Sequence, residues 1–151
     1  MKNFSISIYK KERFNVTFVY GLSHDEFKCK CNSNKCRYTS VSKFLLDRFQ
    51  NFRKDLNLPV AITSGFRCQS HNEKVGGVDN SYHTIGCAID IKPIEKQKGK
   101  YLERYFNENH PSEPTTVHND FDAIKYFAEK NGFHVIKYDS FLHLDVRQDI
   151  I

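Results

Sequence analysis

One aspartate and two histidines in this chain stand where folding alone has little use for them. Asp90 interrupts the apolar run CAIDI, residues 87–91, at a place where a buried strand would take another aliphatic. A lone buried carboxylate is costly unless it is paired or becomes protonated, and a bound cation removes that cost. His83 precedes it in HTIG, a stretch that can turn sharply at Gly86, and His143 lies far along the chain in FLHLDV. Two neutral imidazoles and a carboxylate form a ligand set for zinc that leaves a coordination position open, as catalytic zinc sites do. Asp145 stands just beyond His143, at a spacing that shares its face if the segment is a strand. Taken singly, each residue also suits an ordinary role: a histidine satisfied within a core, an aspartate capping or pairing at a strand end. The residues by themselves leave both readings open.

The cysteines raise a second question. An odd number of them, 5, in a chain whose start does not read as a secretory leader points to mostly reduced thiols. CKCNSNKC crowds Cys29, Cys31 and Cys36 together. A structural zinc knuckle, with His24 or Cys68 as fourth ligand, is one reading. The spacing matches no common zinc finger and no second pair follows, so buried or loop thiols are the preferred reading.

Positioning such residues needs a scaffold, and the periodicities outline one. With 151 residues, 39% of them hydrophobic, the chain suits a single domain, residues 1–151, with one core. SISIY and NVTFVY alternate like strands around the charged KKER, and residues 21–38 read as loop. Thr39 or Ser40 can cap a helix in which Val41, Phe44, Leu45, Phe49, Phe52 and Leu56 recur at helical spacing. Leu58 and Pro59 end it, and VAIT begins a strand. His71 falls in what reads as an exposed loop. KYLERYFNEN forms a short helix, and Asn119 or Asp120 caps a second long one that Asn131 and Gly132 close. Residues 133–138 and 141–146 are two final strands joined at Asp139 and Ser140. This order predicts an α+β domain: a small, mostly antiparallel sheet flanked by two main helices.

Several classes are disfavoured. No run approaches the length of an apolar membrane span, so no membrane insertion is expected. Residues 1–16 lack the unbroken apolar stretch of a signal peptide, which predicts synthesis in the cytosol. The net charge of +5 is a mild basic bias, and the lysines and arginines are scattered. No nucleic-acid partner is expected on that basis.

Taken in order, SGFR, HN, VGG, SYH, GCAIDI and the late FLHLDV resemble the zinc D-alanyl-D-alanine carboxypeptidase family. That family includes vancomycin-resistance dipeptidases and phage endolysins, with the hedgehog signalling domain as a distant relative in fold. The resemblance runs from about residue 26 to residue 147. It implies a hedgehog-like peptidase fold, a Zn²⁺ ion held by His83, Asp90 and His143, and a water at the remaining position. It implies that Arg67 faces the scissile carbonyl oxygen and that Ser81 bonds the substrate's terminal carboxylate. Asn72, Gly76 and Gly77 look structural. Relatives place an acid three residues before the last ligand, where this chain has Ser140, or a histidine two before it, where this chain has Phe141. The general base is then Asp145 or Asp139, with Asp145 equally suited to orient an imidazole or pair with Arg147. The implied substrate is a D-Ala-containing peptidoglycan stem peptide, cut by a monomeric carboxypeptidase or endolysin-type endopeptidase. Which bond is cut depends on how residues 92–118 close the groove. The family also suggests a phage or prophage protein that reaches the wall through a partner. The alternative is a non-catalytic wall-binding or phage structural protein that keeps the metal for stability.

Overall fold

The structure, a computed structural model, describes residues 6–10, 24–31, 38–109 and 115–149. Its centre is an antiparallel sheet of four strands, β3 (Val60–Ser64), β4 (Ala88–Pro93), β5 (His134–Lys137) and β6 (Leu142–Asp145), in the order β3-β4-β6-β5. A separate antiparallel pair joins β1 (Ile6–Lys10) to β2 (Tyr38–Ser42). The helices are α1 (His24–Phe27), α2 (Lys43–Leu56), α3 (Gln69–Lys74), α4 (Lys100–Asn109) and α5 (Asp120–Lys130). The predicted α+β class, with its small antiparallel sheet and two main helices, is what the chain adopts. No helix among the described residues is long and apolar enough to cross a membrane.

The two faces of the sheet have separate duties. Alternation along β4 and β6 sends Ile89, Ile91, Leu142 and Leu144 to one face, where all four are fully buried. They join Phe49, Phe52 and Leu56 of α2 and Ile124 and Phe127 of α5 in one core. Phe49 and Phe52 meet each other and Phe133, largely edge to face, with centroids 5.6–6.5 Å apart. Truncating either ring to alanine would cost about 3–5 kcal/mol. The other face carries Asp90 and His143, which are direct cross-strand partners. The register that fills the core therefore also brings a carboxylate and an imidazole together.

Local differences from the expected elements have simple causes. β1 pairs with β2, so Thr39 and Ser40 are taken into a strand and the cap of α2 moves to Ser42. The Ser42 hydroxyl accepts from the Phe44 N–H at 3.1 Å. Val41 is then a strand residue, though still buried. The expected strand NVTFVY lies outside the described residues. α1 and α3 both occupy stretches read as loop. α3 carries no apolar stripe and buries only Asn72, so helical periodicity could not reveal it. His71 sits on that helix, half-buried.

Candidate metal centre

Each of the three singled-out residues is placed by a different element. Asp90 is on β4 and His143 on β6. His83 lies in a single 3-10 turn, Tyr82–Ile85, that leads into β4. Ser81 caps this turn by accepting from the His83 N–H at 3.2 Å, and Gly86 ends it at φ +72°, a conformation that favours glycine. Together these fold the chain back so that His83 faces Asp90 instead of continuing outward.

The donor atoms converge. One ring nitrogen from each histidine and a carboxylate oxygen of Asp90 all lie within 4.8 Å of one another. His83 Nε2 and His143 Nδ1 are each 3.1 Å from Asp90 Oδ1. The remote nitrogens are anchored. His83 Nδ1 donates to the Gly65 carbonyl at 2.8 Å, and His143 Nε2 donates to Asp145 Oδ2, also at 2.8 Å. A carbonyl can only accept, and the ionised Asp145 does the same, so both outer nitrogens carry hydrogens. In its neutral form each ring would then point a lone pair inward. Two lone pairs facing one carboxylate oxygen need a positive charge among them, whether proton or metal. The residues thus fit a zinc ion in donor type, tautomer and spacing.

The electrostatics follow from these contacts. Burial pushes the Asp90 pKa up, but hydrogen bonds from His143 and His83, with their charge, outweigh it and hold the carboxyl at about 2. Burial pushes His143 down, and its bonds to Asp145 and Asp90 raise it further than burial lowers it. Burial likewise opposes the ionisation of Asp145, yet bonds from His143 and Arg147 hold it well below the usual carboxylate range.

Arg67 spans the site. Its Nη2 donates to Asp90 Oδ2 at 3.1 Å, its Nε to Ser64 Oγ at 3.1 Å and its Nη1 to Asn72 Oδ1 at 3.3 Å. The buried Asn72 in turn donates from Nδ2 to the Val78 carbonyl at 2.9 Å, tying the following loop. Gly77 makes that close packing possible. A Cβ there would lie 2.0 Å from Asn72 Oδ1. The expected loop-tying duty of Asn72 agrees with these contacts, and of the two glycines Gly76 takes a positive φ of +73°, while Gly77 serves by leaving space.

Above the converged donors lies a cleft of about 550 Å³, lined by Arg67, Asp79, Ser81, His83, Asp90 and His143 among others. Tyr138 and Phe141 stack at its edge, ring centroids 4.7 Å apart. Its walls come from residues 75–82 and from the β5–β6 hairpin. Among the described residues, none of 92–118 lines it. Residues 92–95, 98 and 119–121 instead border a different cleft together with Ser140, so among the described residues that segment does not close the cleft above the donors.

The two base candidates are not brought to the cleft. Asp145 is fully buried, and Arg147 grips both of its oxygens, with Nη2 at 2.6 Å from Oδ2 and Nε at 2.9 Å from Oδ1. Asp139 is exposed on the β5–β6 turn and does not line the cleft. Sequence reasoning missed Ser64, the Gly65 carbonyl and Asp79. A backbone acceptor leaves no trace in residue type, but Asp79, inside the motif-rich stretch, was open to notice.

Cys29, Cys31 and Cys68 also converge, away from the cleft, while Cys36 and the side chain of His24 lie outside the described residues.

A family model described as Peptidase M15 matches residues 20–125, more than half of the chain. The match takes in Arg67, Ser81, His83 and Asp90 and stops before His143, whose place beside them comes from the sheet register. No curated protein and no solved structure gave a match.

Proposed function

Because the chain belongs to the M15 peptidases, we propose that it is a zinc-dependent hydrolase of D-Ala-containing peptidoglycan stem peptides, acting as a carboxypeptidase or an endolysin-type endopeptidase. The observation that carries this reading is the pair of anchored imidazoles aimed at one oxygen of Asp90 beneath an open cleft. His83, Asp90 and His143 would hold the metal. Zinc, when bound, supplies a Lewis acid for a carbonyl and lowers the pKa of water.

The remaining roles belong to the chain's own groups. Arg67 is fixed by three acceptors and lines the cleft, so its charge is preorganised for an oxyanion developing on the scissile carbonyl. The Ser81 hydroxyl accepts from the His83 N–H and keeps its own proton to donate to a substrate carboxylate. Asp145 acts through His143 as a positioning residue, since its oxygens are engaged by His143 and Arg147. With Asp90 committed to the metal, Asp79 is the other carboxylate among the described residues that lines the cleft. We assign it the task of taking a proton from the attacking water and passing it to the leaving amine. Such an enzyme acts at the cell wall, which suits a phage or prophage lysis or tail protein.

The engagement of Asp145 and the serine at position 140 favour one other reading, a wall-binding protein that keeps the metal and does not cut. Digestion of purified sacculi separates the two. The peptidase reading expects new amino or carboxyl termini, identified by mass spectrometry, that disappear on chelation and in His143→Ala. Pull-down of the protein with sacculi, with no new termini at any zinc concentration, would establish the binding reading instead.

A further inference from the structure

A second set of metal-ligating atoms lies outside the cleft. The sulfurs of Cys29, Cys31 and Cys68 are within 4.8 Å of one another, and all three residues are half-buried. Cys29 and Cys31 follow α1, whose Phe27 is sunk in the core and whose Phe27 carbonyl accepts from the Phe66 N–H at 2.8 Å. Cys68 stands at the start of α3, and its backbone N–H donates to Cys29 Sγ at 3.3 Å. Stretches far apart in sequence are therefore held together on both sides of the sulfurs.

The geometry discriminates between two kinds of cross-link. A disulfide brings two sulfurs to about 2.05 Å and leaves a third without a role. A tetrahedral zinc–thiolate site spaces its sulfurs about 3.8 Å apart, from Zn–S bonds of about 2.3 Å. Three mutually close sulfurs match the second pattern. Thiolate is also the soft ligand that suits zinc, and an amide hydrogen aimed at one sulfur stabilises its charge. Cys68, the third sulfur, comes from another part of the chain, so no local spacing motif spells this site.

We propose that Cys29, Cys31 and Cys68 bind a structural zinc ion, distinct from the His83–Asp90–His143 centre, with a fourth donor completing the tetrahedron. The ion clips the segment after α1 to the loop that carries Gly65 and Arg67. Gly65 anchors His83 and Arg67 reaches Asp90, so the clip braces the functional centre from behind. Gly65 is packed so tightly on α1 that a Cβ there would lie 2.5 Å from the Phe27 carbonyl oxygen.

The test is cobalt substitution of the intact, reduced chain. Thiolate ligands give an intense near-ultraviolet charge-transfer band that imidazole and carboxylate ligands do not, so the readout is independent of the peptidase site. The expected result is this band in the native chain, its retention in His143→Ala and its loss in Cys68→Ser, with total metal falling from about two ions to about one per chain in each variant. If Cys68→Ser fails to fold, Cys31→Ser reports the same loss. A native chain with no such band, or one isolated with a disulfide between two of these three cysteines, would overturn the proposal.

Discussion

Replacing Asp145 with asparagine preserves the shape of the side chain and removes its charge. In the structure Oδ2 accepts from His143 Nε2 at 2.8 Å and Arg147 Nη2 at 2.6 Å, while Oδ1 accepts from the Arg147 N–H at 3.0 Å and Nε at 2.9 Å. An amide offers one acceptor oxygen and turns two hydrogens toward groups that are themselves donors. Either His143 or Arg147 loses its partner. Because the Arg147 side chain is 35% exposed and can be re-solvated, the expected loss of stability is only about 1–3 kcal/mol. That corresponds to a fall in Tm of roughly 3–10 °C for a domain of this size. The larger effect falls on the metal. With its outer nitrogen released, the His143 ring loses its fixed tautomer and direction, and zinc affinity should drop roughly 10–100-fold. Competition with a chromophoric chelator measures that affinity, and hydrolysis at saturating zinc measures the rate. A positioning role predicts a rate that recovers to within a few-fold once zinc saturates. Unchanged zinc affinity with a loss of more than about 100-fold in the saturated rate would refute the reasoning and make Asp145 the proton acceptor.

Asp79→Asn should lower the hydrolysis rate by about 100-fold or more with zinc affinity unchanged, whereas Asp139→Asn should leave both near wild type; the reverse ranking would move the acid–base role to the β5–β6 turn. Gly77→Ala should cost about 1–3 kcal/mol, because its Cβ displaces the buried Asn72 that seats Arg67; wild-type melting and turnover in that variant would deny the loop its proposed role. In the chelated protein, Asp90 contributes stability above about pH 4 that is lost as pH falls toward its lowered pKa. His143, raised by its carboxylate partners, contributes stability below about pH 6.5 that is lost as pH rises through its folded pKa. Denaturant titration should therefore find the chelated chain most stable between about pH 4 and 6.5, and a maximum in alkaline solution would contradict the pairing.

What could be read from the sequence was whatever broke a local pattern. A charge inside CAIDI and an imidazole inside FLHLDV stood out because strands buried on both faces ask for aliphatics there, and the Asp90–His143 register shows why both were needed. The helices α2 and α5 were visible from their Phe, Leu and Ile spacing. Other features depend on partners distant in the chain. The cap of α2 was expected at Thr39 or Ser40 and lies at Ser42, since the first two are also good cap residues and only the pairing of β2 with β1 excludes them. α3 escaped notice because it answers to a polar network around Asn72 and not to a core. The sulfur cluster was discounted because the spacing of Cys29, Cys31 and Cys36 matches no common zinc finger and no second pair follows, although Cys68, weighed as a fourth ligand, does meet Cys29 and Cys31 from across the fold.

Anomalous diffraction at the zinc edge, from crystals of the zinc-replete native chain, tests the central claim most directly. The account predicts a peak bound by His83 Nε2, His143 Nδ1 and a carboxylate oxygen of Asp90 at about 2.0–2.2 Å. Zinc-replete crystals with no peak among those three side chains, or with one only at the cysteines, would contradict it.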